Sequence, residues 1–212
     1  MSSNKYEEKV AKALLKLGAV QLRPERPFVW TSGIHSPIYC DNRILLSHPK
    51  SRDKVMEAFL ELIKKEGLKF DALAGIATAG IPHAAILADR LQKPMLYVRA
   101  SPKTHGKGNR IEGEFHRGDR VLVVEDLVST GQSSLEAVKA LRQAGLKADD
   151  CVAIFTYGFP FSKNAFRRDR CRLHTLTNLK ALVDVAVEGE RIGTSERALI
   201  EKFAKSPQKW AE

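Results

Sequence analysis

The sequence predicts an α/β fold in which a mostly parallel central sheet is flanked by helices. Almost wholly apolar runs at 72–76, 121–124 and 151–155 are typical of strands buried on both faces of a parallel sheet. The segments between these runs place apolar residues three or four positions apart, which is the spacing of an amphipathic helix. Ligands of such sheets bind beyond the carboxyl ends of the strands, so we expect functional residues there.

The N-terminal part of the chain predicts two helices and two short strands. Apolar residues at helical spacing predict a helix over 5–17. Two apolar runs on either side of a Ser-Gly turn predict a pair of strands within 28–41, joined as a hairpin. A second helix is predicted over 51–66, and Gly67 ends it.

Strands and helices alternate along the rest of the chain. The predicted strands cover 72–76, 95–98, 120–124 and 151–155. The predicted helices cover 81–91, 133–144 and 195–205.

Two polar segments interrupt this alternation. Residues 100–117 are rich in Lys, Arg, His and Gly and have no apolar face, and loops of that length in compact domains are usually functional. Residues 159–172 are also polar. They hold a basic cluster to which the sequence assigns no role, namely Arg167, Arg168, Arg170 and Arg172.

The composition restricts the class of protein. The 212 residues include 35 Lys and Arg against 25 Asp and Glu, so the formal net charge is 35 − 25 = +10. Nucleic acid, an anionic membrane surface, anionic small substrates or simple solubility could each account for this charge. No apolar run reaches the roughly 18–20 residues of a membrane span, and the polar N-terminus has no apolar signal core. Three separated cysteines argue against a zinc site or a disulfide framework, so we expect a cytoplasmic protein.

One continuous string of residues predicts a binding site. After the apolar run at 121–124 it reads Glu125, Asp126, Leu127, Val128, Ser129, Thr130, Gly131, Gln132, Ser133 and Ser134. A loop that enters a helix presents free backbone N–H groups, and the helix dipole favours negative charge at that end. Gly131 lets the backbone approach a phosphate closely, and the hydroxyl groups add donors. The second half of the string therefore predicts a phosphate site.

The two adjacent acids require a different partner, because carboxylates repel a phosphate. Vicinal ribose hydroxyls can donate to them, so a sugar phosphate satisfies both halves of the string. The alternative is structural, with Asp126 and Ser129 only capping the helix. Two buried acids at a strand end would then be costly without a ligand.

The string resembles the signature with which type I phosphoribosyltransferases bind 5-phosphoribosyl 1-diphosphate (PRPP). Three further segments, in the family's order, resemble orotate phosphoribosyltransferases. They are the orotate-side segment at 31–43, the pyrophosphate-side loop at 75–82 and the catalytic loop at 97–108. The chain departs from many relatives at Thr31, Ala100 and Tyr157, where those proteins have lysine, lysine and arginine. The donors for the orotate carboxylate therefore stay open, with Arg43 and backbone N–H groups near 38–40 as candidates.

The resemblance implies a type I phosphoribosyltransferase fold with a small N-terminal hood at about 1–45, the whole chain 1–212 forming one domain. It implies that PRPP and orotate give orotidine 5′-phosphate and pyrophosphate in the synthesis of UMP. Mg²⁺ would be held mainly by PRPP and pyrophosphate, without direct protein ligands. A homodimer with shared active sites is also implied, because the family's catalytic loop serves the neighbouring subunit.

The resemblance also implies roles for individual residues. Lys103, His105 and Arg99 would stabilise charge on pyrophosphate, and Asp126 would also assist proton movement at orotate. Ser129, with Arg43, would contact orotate. The implied PRPP-binding set is Arg99, Lys103, His105, Glu125, Asp126, Leu127, Val128, Ser129, Thr130, Gly131, Gln132 and Ser133.

Two other functions remain as alternatives. One is a PRPP-sensing regulator that binds nucleic acid on the same fold, for which the charge of +10 is the motive. The other is a transferase for another base, against which the segment 31–43 argues. We expect the orotate enzyme, without nucleic-acid or membrane binding.

Overall fold

The computed structural model describes residues 5–29, 33, 35–101, 110–208 and 210. The helices are α1 (Lys5–Leu17), α2 (Pro49–Lys65), α3 (Gly80–Leu91), α4 (Gln132–Gln143), α5 (Pro160–Arg168), α6 (Leu179–Glu188) and α7 (Thr194–Lys205), with a 3₁₀ helix at Asn42–Ser47. The strands are β1 (Val20–Leu22), β2 (Phe28–Val29), β3 (His35–Ser36), β4 (Ile38–Cys40), β5 (Ala72–Ile76), β6 (Met95–Val98), β7 (Ile111–Glu112), β8 (Arg120–Val128), β9 (Lys147–Thr156) and β10 (Arg172–Asn178). No helix among these residues is both long enough and apolar enough to cross a bilayer.

A six-stranded sheet in the order β10-β9-β8-β5-β6-β7 forms the centre of the fold. All its neighbouring strands are parallel except β6 and β7. Side chains of β8 alternate between two apolar clusters: Leu122 and Val124 pack with α1, α2 and α3, whereas Val121 and Val123 pack with α4. The predicted α/β class with a mostly parallel sheet is confirmed.

The structure changes the prediction for β8. The apolar run predicted a strand ending at Val124, but β8 continues to Val128 because β9 also runs on and pairs Val128 with Thr156. Glu125 and Asp126 therefore lie within a paired strand and not in the loop after it. Strand pairing fixes the backbone of both acids.

The predicted hairpin within 28–41 has different partners in the structure. Both strands exist, but β2 pairs with β3 and β4 pairs with β1. Ile38 and Cys40 are buried, whereas Tyr39 between them is exposed, and β1 supplies the apolar neighbour Val20 for this buried face. The prediction of a single hairpin was wrong because β1 was not recognised as a strand.

The segment after β9 is more regular than its polarity suggested. Most of the segment 159–172 forms α5, which begins at a proline and buries Phe166 and Ser162 on one side. The edge strand β10 and helix α6 follow, and Asn178 caps α6 by accepting a hydrogen bond from the Ala181 N–H at 3.0 Å.

Gly75 permits the close packing that brings α3 over β5. A Cβ atom on Gly75 would lie 2.8 Å from Ile81 Cα and 2.9 Å from Ala84 Cβ, and neither atom belongs to a flexible side-chain end. This contact places the start of α3 beside the carboxyl end of β5, where the functional residues lie.

We expect Gly75→Ala to lower the free energy of unfolding by about 1–3 kcal/mol, because the added methyl group overpacks the helix–strand contact. Urea denaturation followed by circular dichroism measures the change. Gly189→Ala is the matched control, since Gly189 is exposed and has an ordinary backbone conformation after α6. Equal stability of the two variants would contradict the close packing at Gly75.

Candidate active site

The loop between β8 and α4 has the geometry of a phosphate site. Gly131 adopts φ = 82°, which favours glycine, and α4 begins at the next residue. The N-cap residue is Gly131, and among the described residues the side-chain contact to the first-turn N–H groups comes from Thr130, whose Oγ1 accepts the Gln132 N–H at 3.3 Å. Neither Asp126 nor Ser129 therefore has the capping role that was the structural alternative. The first-turn N–H groups of such a helix lack intrahelical partners and favour an anion.

Helix α5 packs against this loop at Gly131. A Cβ atom on Gly131 would lie 2.7 Å from Phe166 Cε2 and 3.2 Å from Ser162 Oγ. Gly131 is therefore required for two reasons, the positive φ and the contact with α5.

Glu125 is almost completely buried, with 6% of its surface exposed. Its Oε1 accepts the N–H of Asp126 at 3.0 Å, and its Oε2 accepts the Ser134 hydroxyl at 3.5 Å. Burial, and then the negative charge of Asp126, raise the pKa of Glu125 well above its usual value. Ionising both carboxyl groups of the pair is therefore unfavourable in free energy.

Asp126 lies under the hood. Burial raises the pKa of Asp126, while hydrogen bonding with Glu125 and the positive charge of Arg43 act in the opposite direction. The pair thus has one member packed towards α4 and one that faces the N-terminal segment.

Asn42 connects the hood to this acid and was not singled out from the sequence. Its side chain is fully buried, and its Nδ2 donates to the backbone oxygen of Asp126 at 2.7 Å. Its Oδ1 lies 3.5 Å from Cys40 Sγ. The only sequence signal was its position in the string that contains Arg43, because a contact over 84 residues leaves no local pattern.

Arg43, the candidate for binding orotate, forms an ion pair with Asp41. Its Nε and Nη2 donate to the two oxygens of Asp41 at 2.7 and 2.8 Å, and most of its side chain is exposed. One of the backbone N–H candidates is also engaged, since Ser36 Oγ accepts the Ile38 N–H at 3.3 Å. To bind the carboxylate of a ligand, the Arg43 guanidinium must break its hydrogen bonds with Asp41 or donate to both carboxylates at once.

Tyr157 lies where many relatives have an arginine, and it has become part of an aromatic core. Its ring stacks on Phe159 with centroids 5.3 Å apart and meets Phe155 edge-on at 5.3 Å. Burial, and then nearby Cys40, raise the pKa of the Tyr157 hydroxyl well above its usual value. The side chain is therefore uncharged and cannot replace an arginine as a cationic donor.

The loop at 77–79 approaches the acids from β5. A Cβ atom on Gly80 would lie only 2.5 Å from the carbonyl oxygen of Val124, so glycine is required where α3 crosses β8. The Ala77 N–H donates to Val98 O at 2.9 Å, and the Ala77–Thr78 peptide bond is cis. This loop thus lies beside the ends of β6 and β8.

Arg99 lies at the base of the predicted catalytic loop. Its N–H donates to Arg110 O at 2.8 Å, and the Arg110 guanidinium donates to the carbonyl oxygens of Arg99 and Ala100 at 3.2 and 3.0 Å. Arg99 also lies 3.5 Å from Glu112, and Arg110 lies 4.0 Å from Glu136 of α4. The two ends of the loop are held together next to α4, while Lys103 and His105 lie outside the described residues.

The remaining predicted PRPP-binding residues divide into two groups. Leu127 and Val128 pack into the core, and the Val128 carbonyl accepts the Thr156 hydroxyl at 3.0 Å, which leaves little of their side chains for a ligand. Three side chains of the loop and the first turn of α4 are exposed, namely Thr130, Gln132 and Ser133. Ser129 is half-buried between the two groups. Within the described ranges, no group of three or more His, Cys, Asp or Glu side chains could hold a metal ion.

Comparison with known proteins agrees with this site. A model of the phosphoribosyl transferase domain matches residues 41–169. The orotate phosphoribosyltransferase of Coxiella burnetii is 49% identical over 95% of this chain and 96% of its own length. The crystal structure of orotate phosphoribosyltransferase from Aeropyrum pernix has a TM-score of 0.75 and 33% identity, covering 87% of this chain and 99% of that one. UMP synthase from Leishmania donovani has a TM-score of 0.79 and 29% identity over 93% of this chain, which matches 42% of that longer chain.

The match to the relative from Coxiella burnetii extends over both the hood and the acid pair, beyond the segment that the domain model covers. The chain belongs to the orotate phosphoribosyltransferase family.

Proposed function

We propose that this chain transfers the 5-phosphoribosyl group of PRPP to orotate, giving orotidine 5′-phosphate and pyrophosphate. The observation that carries the proposal is the acid pair beside the N-terminus of α4, in which Glu125 is buried and Asp126 is partly exposed. The acids suit the hydroxyls of a ribose, and the helix N-terminus suits its 5′-phosphate. A phosphate ligand that lacks vicinal hydroxyls would leave the acids without a partner.

The reaction breaks the bond between the anomeric carbon and pyrophosphate and forms a bond from that carbon to a ring nitrogen of orotate. The proton on that nitrogen is lost, and Asp126 assists its transfer in this proposal. Positive charge develops on the ribose, and negative charge develops on the leaving pyrophosphate. Glu125 and Asp126 hold the ribose hydroxyls, while Ser129 and Arg43 face orotate. Arg99, with Lys103 and His105, stabilises the leaving group, and contacts that strengthen in the transition state accelerate the reaction.

Mg²⁺ is the cation of this reaction in our proposal. Mg²⁺ prefers oxygen ligands, and a sugar diphosphate bound next to Glu125 and Asp126 would supply phosphate and hydroxyl oxygens. The ion neutralises charge on the diphosphate when it is bound. The acids contribute by orienting the ribose hydroxyls.

The chain acts as a single domain and as a cytoplasmic homodimer in this proposal. Backbone pairing of Arg99 with Arg110 holds the two ends of the loop at 102–109 at the sheet edge formed by β6 and β7. The loop then serves the neighbouring subunit's site and excludes water when it closes.

The test of the substrate is the loss of orotate absorbance in the presence of PRPP and Mg²⁺. Adenine, hypoxanthine and uracil serve as competing bases in parallel reactions. We expect turnover with orotate and with none of the other three bases, because the hood segment resembles the orotate-side segment. Turnover only with another base, or none together with salt-sensitive nucleic-acid binding, would support one of the alternatives instead.

The variant Glu125→Gln tests separately how the buried acid affects stability and how it affects PRPP binding. Because the folded state raises the pKa of Glu125, this group stabilises the fold below the usual glutamate pKa and loses that contribution as pH rises through the folded pKa. We expect the variant to match the wild type near pH 4, to become the more stable protein as pH rises, and to bind PRPP at least about tenfold more weakly. Denaturation from pH 4 to 9 and calorimetry with PRPP measure the two effects.

Glu57→Gln is the control for this pH dependence, since Glu57 is exposed on α2. It should change neither the stability curve nor PRPP affinity. A stability curve of Glu125→Gln parallel to the wild type, with unchanged PRPP affinity, would contradict both roles of the buried acid.

Mixing two inactive variants tests the shared site. Lys103→Ala should reduce turnover about a hundredfold or more, because it removes a charge from the leaving-group side. Asp126→Asn should lose PRPP binding. After subunit exchange in an equal mixture, half of the dimers are mixed and one of their two sites has no substitution, so about a quarter of wild-type activity should return. Confirmed exchange without recovery would place the loop over its own subunit's acids.

A further inference from the structure

A groove borders β10, the edge strand at the opposite side of the sheet from the catalytic loop. Its volume is about 1060 Å³. Residues of α5 form one wall, residues of α6 and α7 form the other, and the start of β10 lies between them. The proposed reaction uses none of these surfaces.

The groove follows the edge of β10. Four consecutive residues of the strand, 172–175, line it. Successive side chains of a strand point to opposite faces, so a groove in contact with consecutive residues runs along the edge. Among the described residues β10 pairs only with β9, and its outer edge therefore offers backbone N–H and C=O groups to an added strand.

The charge of the groove is strongly positive. Its basic residues are Lys163, Arg167, Arg172, Lys180 and Lys205, and its one acid is Glu201. Glu201 is paired with an arginine of α7, Arg172 with Asp150 and Lys180 with Asp184.

The other three cations, Lys163, Arg167 and Lys205, have no ion pair within the described parts of the chain. Arg167 and Arg172 belong to the basic cluster to which the sequence assigned no role. Arg168 and Arg170 lie outside the groove lining, and Arg168 is 3.5 Å from Asp169.

The surface between the cations is apolar. Leu173 of β10, Pro160 of α5 and Ala204 of α7 line the groove with apolar side chains that are at least partly exposed. The hydroxyl of Ser162, in the wall formed by α5, is buried without a hydrogen-bond partner among the described residues. An occupant therefore needs an apolar side, a backbone that can pair with a strand, and negative charge.

We propose that this groove binds an extended acidic segment of another protein, which adds to β10 as a further strand and places its carboxylates on Lys163, Arg167 and Lys205. Strand addition to an open edge is a general mode of peptide recognition, with main-chain hydrogen bonds giving affinity and side chains giving specificity. A single-stranded nucleic acid would use the same cations, but it has no peptide backbone to pair with β10 and no use for the apolar floor.

The test uses the full chain at physiological salt and a fluorescein-labelled peptide of alternating glutamate and valine as the probe. We expect saturable binding by fluorescence anisotropy, at least about tenfold weaker when lysine replaces glutamate and when alternate backbone nitrogens are methylated. The first comparison tests the charges, and the second tests the pairing with β10. An oligouridine strand tests the nucleic-acid alternative.

The groove variant carries Arg167→Glu and Lys205→Glu, and its matched control carries Lys16→Glu and Lys54→Glu on exposed sites of α1 and α2. The two proteins have the same net charge. We expect the groove variant to lose peptide binding at least about tenfold and the control to lose less than about threefold. Circular dichroism should match the wild type for both variants, which shows that they fold.

The proposal is overturned if peptide binding does not saturate, or if the two variants lose the same amount of peptide affinity. It is also overturned if methylating the peptide backbone leaves the affinity unchanged, or if oligouridine binds more tightly than the peptide. Orotate turnover is measured in parallel as a separate readout. A failure of the peptide test with normal turnover affects only the groove, and absent turnover with normal peptide binding affects only the proposed reaction.

Discussion

The placement of two adjacent carboxyl groups in a paired strand next to a helix N-terminus is the constraint on which the rest of the site depends. The pairing of β8 with β9 fixes the backbone of both acids, which leaves Glu125 buried and Asp126 partly exposed. Burial, and then the negative charge of Asp126, raise the pKa of Glu125, and the N-terminus of α4 attracts anions only a few residues away. A ligand with hydroxyls at one end and phosphate at the other resolves both demands.

The neighbouring elements are arranged to keep this constraint in place. Gly75 and Gly80 let α3 approach β5 and β8 more closely than any side chain would allow, and Gly131 does the same for α5 under the phosphate loop. Asn42 fixes the hood to the backbone of Asp126. The described parts of the site are therefore defined by close backbone contacts.

The sequence predicted the parts of the fold whose signal is local. Buried strands such as β5 and β9 are read from apolar runs, and the acid pair with Gly131 is read from a continuous string. The pairing of β4 with β1 was missed because the three-residue β1 was not recognised as a strand. The hydrogen bond from Asn42 to Asp126 could not be predicted, because it joins residues 84 positions apart in the chain. The strand β10 was missed for another reason, since an edge strand with polar residues lacks the apolar run of a buried one.

The net charge of +10 is distributed over regions with different physical roles. Arg110 is bound to backbone carbonyls at the loop base and Arg43 to Asp41, so these charges organise the site before any substrate arrives. Lys163 and Arg167 of α5, which have no ion pair within the described ranges, line the groove. Ser162 and Phe166 contact the position of Gly131 and also line the groove, so the phosphate loop and the groove share one helix of nine residues. The helix that supports the phosphate loop is thus also the wall through which the groove adjoins the active site.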